Sequence, residues 1–245
     1  MQNKLMKFDA WVLSDKGRRR DSNQDSVLVN PEVGLFIVAD GMGGHSGGEV
    51  ASSLAVSAAE EVFKNSESKA KAPRELIAKA YEEASHQIYD KAAKENPELA
   101  GMGTTMVMCY IRKNHIYIGN VGDSRCYLFK KPHLWQVTED HSLINEQIRA
   151  GVLSEAQASQ LIGRNVITRS VGYEREVDPD IFEREIFSGE TYILCSDGLS
   201  SLVGDPRISE ILDANPPMEA LKLCVEEALK NGGDDNVSVL ILHFE

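Results

Sequence analysis

The stretch TTMVMCYIRKNHIYIGNV, Thr104 to Val121, decides the fold class. It holds two apolar runs rich in β-branched residues, Thr104–Ile111 and His115–Val121, with Lys113-Asn114 between them. So short a link suits a turn between antiparallel strands and is far too short for a parallel crossover. Working outward, similar runs recur at Phe36–Ala39, Cys126–Phe129, Tyr192–Cys195 and Val237–Phe244, and Lys131-Pro132 supplies a second turn. All of these read as strands.

Helices interrupt the strands irregularly. Glu49–Lys64 carries Val50, Leu54, Ala58 and Val62 every fourth residue, and Pro73–Asn96 opens on proline and stops before Pro97. Met218–Lys230 gathers Leu221, Cys224, Val225, Ala228 and Leu229 on one face and ends at Gly232-Gly233. Ser154 with Gln157 spells a capping box for a short helix in the polar stretch from Ser142 to Asn165. No internal repeat or low-complexity linker divides the 245 residues, so one domain over 1–245 is expected. Strands and helices that do not alternate argue for antiparallel sheets with helices packed outside, an α+β fold.

Composition narrows the function classes. A net charge of −12 repels nucleic acid and anionic membrane, so neither is expected as a partner. There is no apolar run near the ~20 residues that cross a bilayer, and Met1–Lys7 lacks a signal-peptide core. A soluble, cytoplasmic protein is the expectation. The four cysteines have no CxxC spacing and read as buried free thiols. The basic cluster Lys16–Arg20 reads as a solvated corner, Arg20 excepted.

Aspartates stand where expected strands stop: Asp40 after Ala39, Asp123 after Val121 and Asp197 after Cys195, while Asp235-Asn236 directly precedes the last strand. A single Asp-Gly at a strand end is ordinarily a turn. Several converging carboxylates suit a hard divalent ion, and with no His or Cys cluster competing they point to magnesium or manganese. The glycine-rich stretch from Asp40 to Glu49 lacks the Lys of a phosphate-binding P-loop, but its backbone is free to bring a carbonyl against a metal.

RDSNQD at Arg20–Asp25, VADGMGGH at Val38–His45, GTT at Gly103–Thr105, GNVGDSR at Gly119–Arg125, TEDHS at Thr138–Ser142, SDGL at Ser196–Leu199 and GGDDN at Gly232–Asn236 together resemble the metal-dependent serine/threonine phosphatases of type 2C, in the family's order. The resemblance implies a four-layer αββα sandwich of two antiparallel sheets, two core Mn2+ or Mg2+ ions with a third possible, and phosphoserine and phosphothreonine proteins as substrates. It implies that Asp40 bridges both ions, that the Gly41 carbonyl completes one, and that Asp197 and Asp235 hold the other. Asp25 would act largely through water, Asp123 with Asp197 would hold the accessory ion of bacterial members, and Arg20 would bind the substrate phosphate.

A water shared by two such ions becomes acidic enough to attack phosphorus directly, so no phosphoenzyme nucleophile is needed. The departing alkoxide wants a proton. Eukaryotic members place a His directly after the Asp-Gly, whereas Met42 stands there in this chain and His45 comes three residues later. His45 is the candidate donor, and His45 and His141 both stay open between that role and closing a loop. Thr104, Thr105 and Arg169 read as packing and pairing residues outside the catalytic set. The 142–165 segment occupies the place of the family's flap. A bacterial phosphatase opposing a serine/threonine kinase is the leading expectation, and a catalytically silent phosphatase-like regulator is the alternative.

Overall fold

The computed structural model describes residues 6–44, 47–65, 71–158 and 166–245. His45 and the 159–165 part of the expected flap lie outside the described residues. One sheet runs in the order β1 (Phe8–Asp15), β11 (Val237–Phe244), β10 (Thr191–Cys195), β7 (Arg125–Lys130), β8 (His133–Gln136). The other runs β2 (Asp25–Asn30), β3 (Leu35–Met42), β5 (Met106–Arg112), β6 (His115–Val121), β9 (Asp180–Glu185), with β4 (Gly103–Thr104) beside the end of β3. All the strand pairs are antiparallel.

Side chains alternate across a strand, and here both sets are buried. Phe36 and Val38 of β3 meet Leu194 of β10 and Leu240 and Leu242 of β11 between the sheets. Leu35, Ile37 and Ala39 point the other way, onto α1 (Gly47–Lys64) and α2 (Pro73–Asp90). On the far side, Ile193, Val239 and Ile241 pack against α6 (Asp205–Ala214) and α7 (Pro217–Lys230). The result is four layers, helix–sheet–sheet–helix, as expected. Strands covered on both faces explain why these runs are apolar without interruption, although alternation is the usual antiparallel habit.

Two elements differ from the sequence expectation. α2 ends at Asp90, not Asn96: Lys91–Glu95 widens into a π turn and Pro97–Leu99 closes as a short 3-10 turn. On α1 the residues at zero exposure, Ala51, Ser52, Ala55 and Ala59, are small, while Val50 and Leu54 flank them half-buried. Small side chains let this helix lie close on the sheet. At Gly119 of β6 the approach of α2 is closer still, since a Cβ there would stand 2.8 Å from both Ile77 and Tyr81.

The Ser154–Gln157 capping box forms in both directions, with Gln157 Oε1 accepting from Ser154 N at 2.9 Å and Ser154 Oγ accepting from Gln157 N at 3.3 Å. It opens α4 (Glu155–Ala158). The other short helices are α3 (Leu143–Arg149), capped by Ser142, and α5 (Asp197–Ser200). All four cysteines are free and buried. No helix among the described residues is long and apolar enough to cross a membrane.

Candidate active site

The sequence aspartates gather at one end of the sandwich. Asp40 lies near the end of β3, and Asp25 at the start of β2 is its direct antiparallel partner. Asp123 sits in the turn after β6, Asp197 opens α5, and Asp235 stands just before β11. All five are half-buried.

Close backbone contacts bring them together. A Cβ on Gly198 would fall 1.9 Å from the Asn236 carbonyl oxygen, so α5 rests directly on the start of β11. A Cβ on Gly48 would fall 2.6 Å from the Gly41 carbonyl oxygen, which is how near α1 comes to the end of β3. Gly17, at φ 78°, lies equally tight on Asp235 and folds the Lys16–Arg20 corner over the site. There Arg20 Nη2 donates to Asp235 Oδ2 at 2.6 Å, with about half of the arginine side chain exposed.

Residues to which the sequence assigns no catalytic part hold this frame. Asn236 Oδ1 accepts from Gln24 N at 2.8 Å, and its Nδ2 donates to the carbonyls of Lys16 and Ser22. One buried amide thus ties the Arg20 loop to the last strand. Thr104 Oγ1 donates to the Asp40 carbonyl, and Thr105 Oγ1 accepts from Asp40 N and bonds Ser124 Oγ next to Asp123. Their expected packing role is met, and it fixes two aspartates at once. Arg125 grips Asp140 through Nε and Nη2, and Arg169 pairs with Asp180 at 3.1 Å, as its sequence reading anticipated.

His141 is not poised to donate a proton to substrate. It is 3% exposed; its Nδ1 accepts from Gly122 N at 3.2 Å, which leaves Nε2 to donate to Asp180 Oδ2 at 3.2 Å. Of the two readings, closing a loop is the one it fulfils, and the loop is the one carrying Asp123.

The electrostatics of the carboxylates are those of a site built for cations. Burial, then the charges of Asp25, Asp197, Asp235 and Asp123, pushes the Asp40 carboxyl well above its ordinary range. Burial raises Asp25 to about 6 and, with Asp197, raises Asp123 to about 7. Asp197 is also raised, by burial and then by Asp235, and it lies close enough to Asp40 to share a hydrogen bond. Like charges directly opposite across a strand pair are destabilising. Asp25 Oδ2 accepts from Ser196 Oγ, yet its Oδ1 is buried and has no hydrogen-bond partner among the described residues. Hard divalent ions match this donor set.

Among the described residues, no three of these aspartates bring one oxygen each within 4.8 Å of one another; that spacing is met only by Glu82, His86 and Glu176 on the surface of α2 and a neighbouring loop. Water or phosphate oxygens would complete the coordination of an ion held there, the habit of Mg2+ and of ions like it.

Known proteins share the sequence family and the fold. The family profile described as protein phosphatase 2C matches residues 16–227. A serine/threonine phosphatase stp of Listeria monocytogenes is 36% identical over 235 residues, covering 94% of this chain and 93% of its own. The crystal structure of the Mycobacterium tuberculosis serine/threonine phosphatase PstP superposes with a TM-score of 0.90 at 33% identity, over 97% of this chain and 99% of that one. The catalytic domain of PstP in complex with two manganese ions superposes with a TM-score of 0.86 at 32% identity, over 98% of this chain and 99% of that one. With seven motifs in order, four layers and an acidic cleft at one end of the sandwich, the chain belongs to the protein phosphatase 2C family.

Proposed function

We propose that this chain is a metal-dependent serine/threonine phosphatase whose five aspartates hold Mn2+ or Mg2+ and whose Arg20 clamps the phosphoryl group. The observation that carries the reading is the Asp25–Asp40 pair, two carboxylates facing each other in strand register with one buried oxygen left over. That is a costly arrangement without a cation and a useful one with it. When bound, two divalent ions supply a water acidic enough to attack phosphorus and neutralise charge on the phosphoryl oxygens.

The chain's own residues do the rest. Asp40, which feels the charges of the other four, would be the ligand shared by two ions; Asp197 and Asp235 would hold one, the Gly41 carbonyl and, through water, Asp25 the other, and Asp123 with Asp197 an accessory ion. Arg20 spends Nη2 on Asp235 and keeps its remaining donors for substrate, in the fork geometry that matches phosphate. Holding both partners together, this pair orients the phosphoryl group before any bond breaks. The described part of the 142–165 segment would belong to the family's flap, within one domain. Phosphorylated proteins are the substrates, and an opposing serine/threonine kinase in a bacterial cytoplasm is the setting that fits the bacterial relatives.

The test is hydrolysis of para-nitrophenyl phosphate and of a phosphothreonine peptide, with manganese and with chelator, in the wild type and in Asp197→Ala. Turnover that needs manganese and is lost in the variant is expected. Activity in excess chelator, or a fully active variant, would overturn the metal mechanism, and manganese binding without turnover would identify a silent regulator instead.

A further inference from the structure

Beside the aspartates lies a groove of about 460 Å³ to which neither Arg20 nor the carboxylate cluster contributes. Met42, Tyr173, Glu174, Glu176 and Asp178 are among the residues that line it. Met42 and Asp40 are alternate residues of β3, so they share a face about 7 Å apart. An extended peptide advances by about the same distance over two residues. A substrate with its phosphate at Asp40 and its chain running toward Met42 would lay its neighbouring residues into the groove.

The wall is preformed. Ser85 of α2, fully buried, accepts from Gly172 N at 3.0 Å and donates to the Glu174 carbonyl at 2.8 Å, and Gly172 lies against Ile88 so closely that no Cβ would fit. The loop carrying the acidic residues is thus anchored to a buried helix. Its charge is one-sided: Glu174 and Asp178 line the groove, while Glu176 is paired with His86 at 3.1 Å and the one lining cation among the described residues, Arg169, is paired with Asp180. Met42 and the largely exposed Tyr173 ring offer an apolar bed for a long aliphatic stem. That combination of apolar bed and acidic rim suits lysine or arginine, whose stems lie on apolar surface and whose heads reach for charge.

We propose that this groove selects phosphoprotein segments with a basic residue two to four positions from the phosphoresidue. The inference rests on the phosphatase reading and names a substrate preference within it. Glu174 and Asp178 are the specificity-determining residues. They do not touch the reacting atoms.

Phosphothreonine peptides identical except for Arg, Ala or Glu at those positions test it, assayed with manganese on the wild type and on Glu174→Gln/Asp178→Asn. Two exposed charge pairs predict a kcat/KM advantage of roughly two- to tenfold for Arg over Ala. The advantage should shrink with added salt and narrow to within about twofold in the double variant. Equal rates for Arg and Ala peptides in the wild type, a preference for Glu, or a ratio unchanged in the variant would each overturn the proposal. Wild-type hydrolysis of para-nitrophenyl phosphate keeps the two readings apart: turnover of it without peptide discrimination defeats the groove alone, whereas no turnover at all defeats the phosphatase reading on which the groove depends.

Discussion

Arg20 shows how much a single side chain can be asked to do at this site. It is half-exposed, pairs with Asp235 through one nitrogen and lies near enough to Asp40 and Asp197 to feel their charges. Lysine would keep the charge and lose the fork. For Arg20→Lys, kcat/KM on para-nitrophenyl phosphate should fall about tenfold or more, with a raised KM, because one charge-assisted hydrogen bond is worth roughly 1.5–3 kcal/mol; steady-state kinetics in saturating manganese check this. Arg20 and the aspartates could be read from the sequence because charge at a strand end stands out. Asn236 could not, since an Asn before a strand looks like any turn residue and its three bonds reach Lys16, Ser22 and Gln24 more than 200 positions away. The same holds for Thr105 and Ser124, whose hydroxyls meet only after β4 and β6 are in place. In the sequence His141 stays open between two roles, because a sequence does not say which way an imidazole points.

Among the elements, the contact between α5 and β11 sets the spacing of Asp197 and Asp235. Gly198→Ala must push these elements apart, as its Cβ would fall 1.9 Å from the Asn236 carbonyl oxygen. Overpacking of this kind costs about 1–3 kcal/mol, so thermal unfolding should shift down by several degrees, and the manganese concentration for half-maximal activity should rise more than the stability loss explains. Titration of activity against manganese, alongside a melting curve, separates the two effects. The strands legible in the sequence are those covered on both faces, such as β3 and β11. β1, β2, β8 and β9 lie at sheet edges and are half-buried or exposed, and their mixed sequences gave no comparable signal. The sequence pattern carries α2 past its true end because the polar continuation keeps a helical spacing while the backbone changes its hydrogen bonding at Lys91.

For the molecule as a whole, the acidic cleft ties stability to pH and to metal. Asp25 and Asp123 rise from an ordinary 3.8 to about 6 and about 7, and Asp40 and Asp197 rise as well. A carboxyl whose pKa is raised on folding contributes stability that is whole below its unfolded value and is lost as pH climbs through the folded one. Chelated protein should therefore melt at progressively lower temperature between about pH 4 and pH 7, and added Mn2+ should raise the melting temperature most at the alkaline end. A chelated protein equally stable at pH 5 and pH 8 would contradict the carboxylate geometry.

The pairing of β1 with β11 has a consequence for how the protein comes into being. Among the described residues, the first strand finds its neighbour only in the last, and the cleft needs Asp235 as well as Asp25. At about 5–20 residues per second, a ribosome takes on the order of ten to forty seconds to travel from one to the other. Through that interval the nascent chain carries most of its aspartates and an exposed β1 edge, but no complete cleft. Catalytic competence arrives in a single late step, when the final strand slots between β1 and β10, so a chain interrupted before that point is inert instead of partly active.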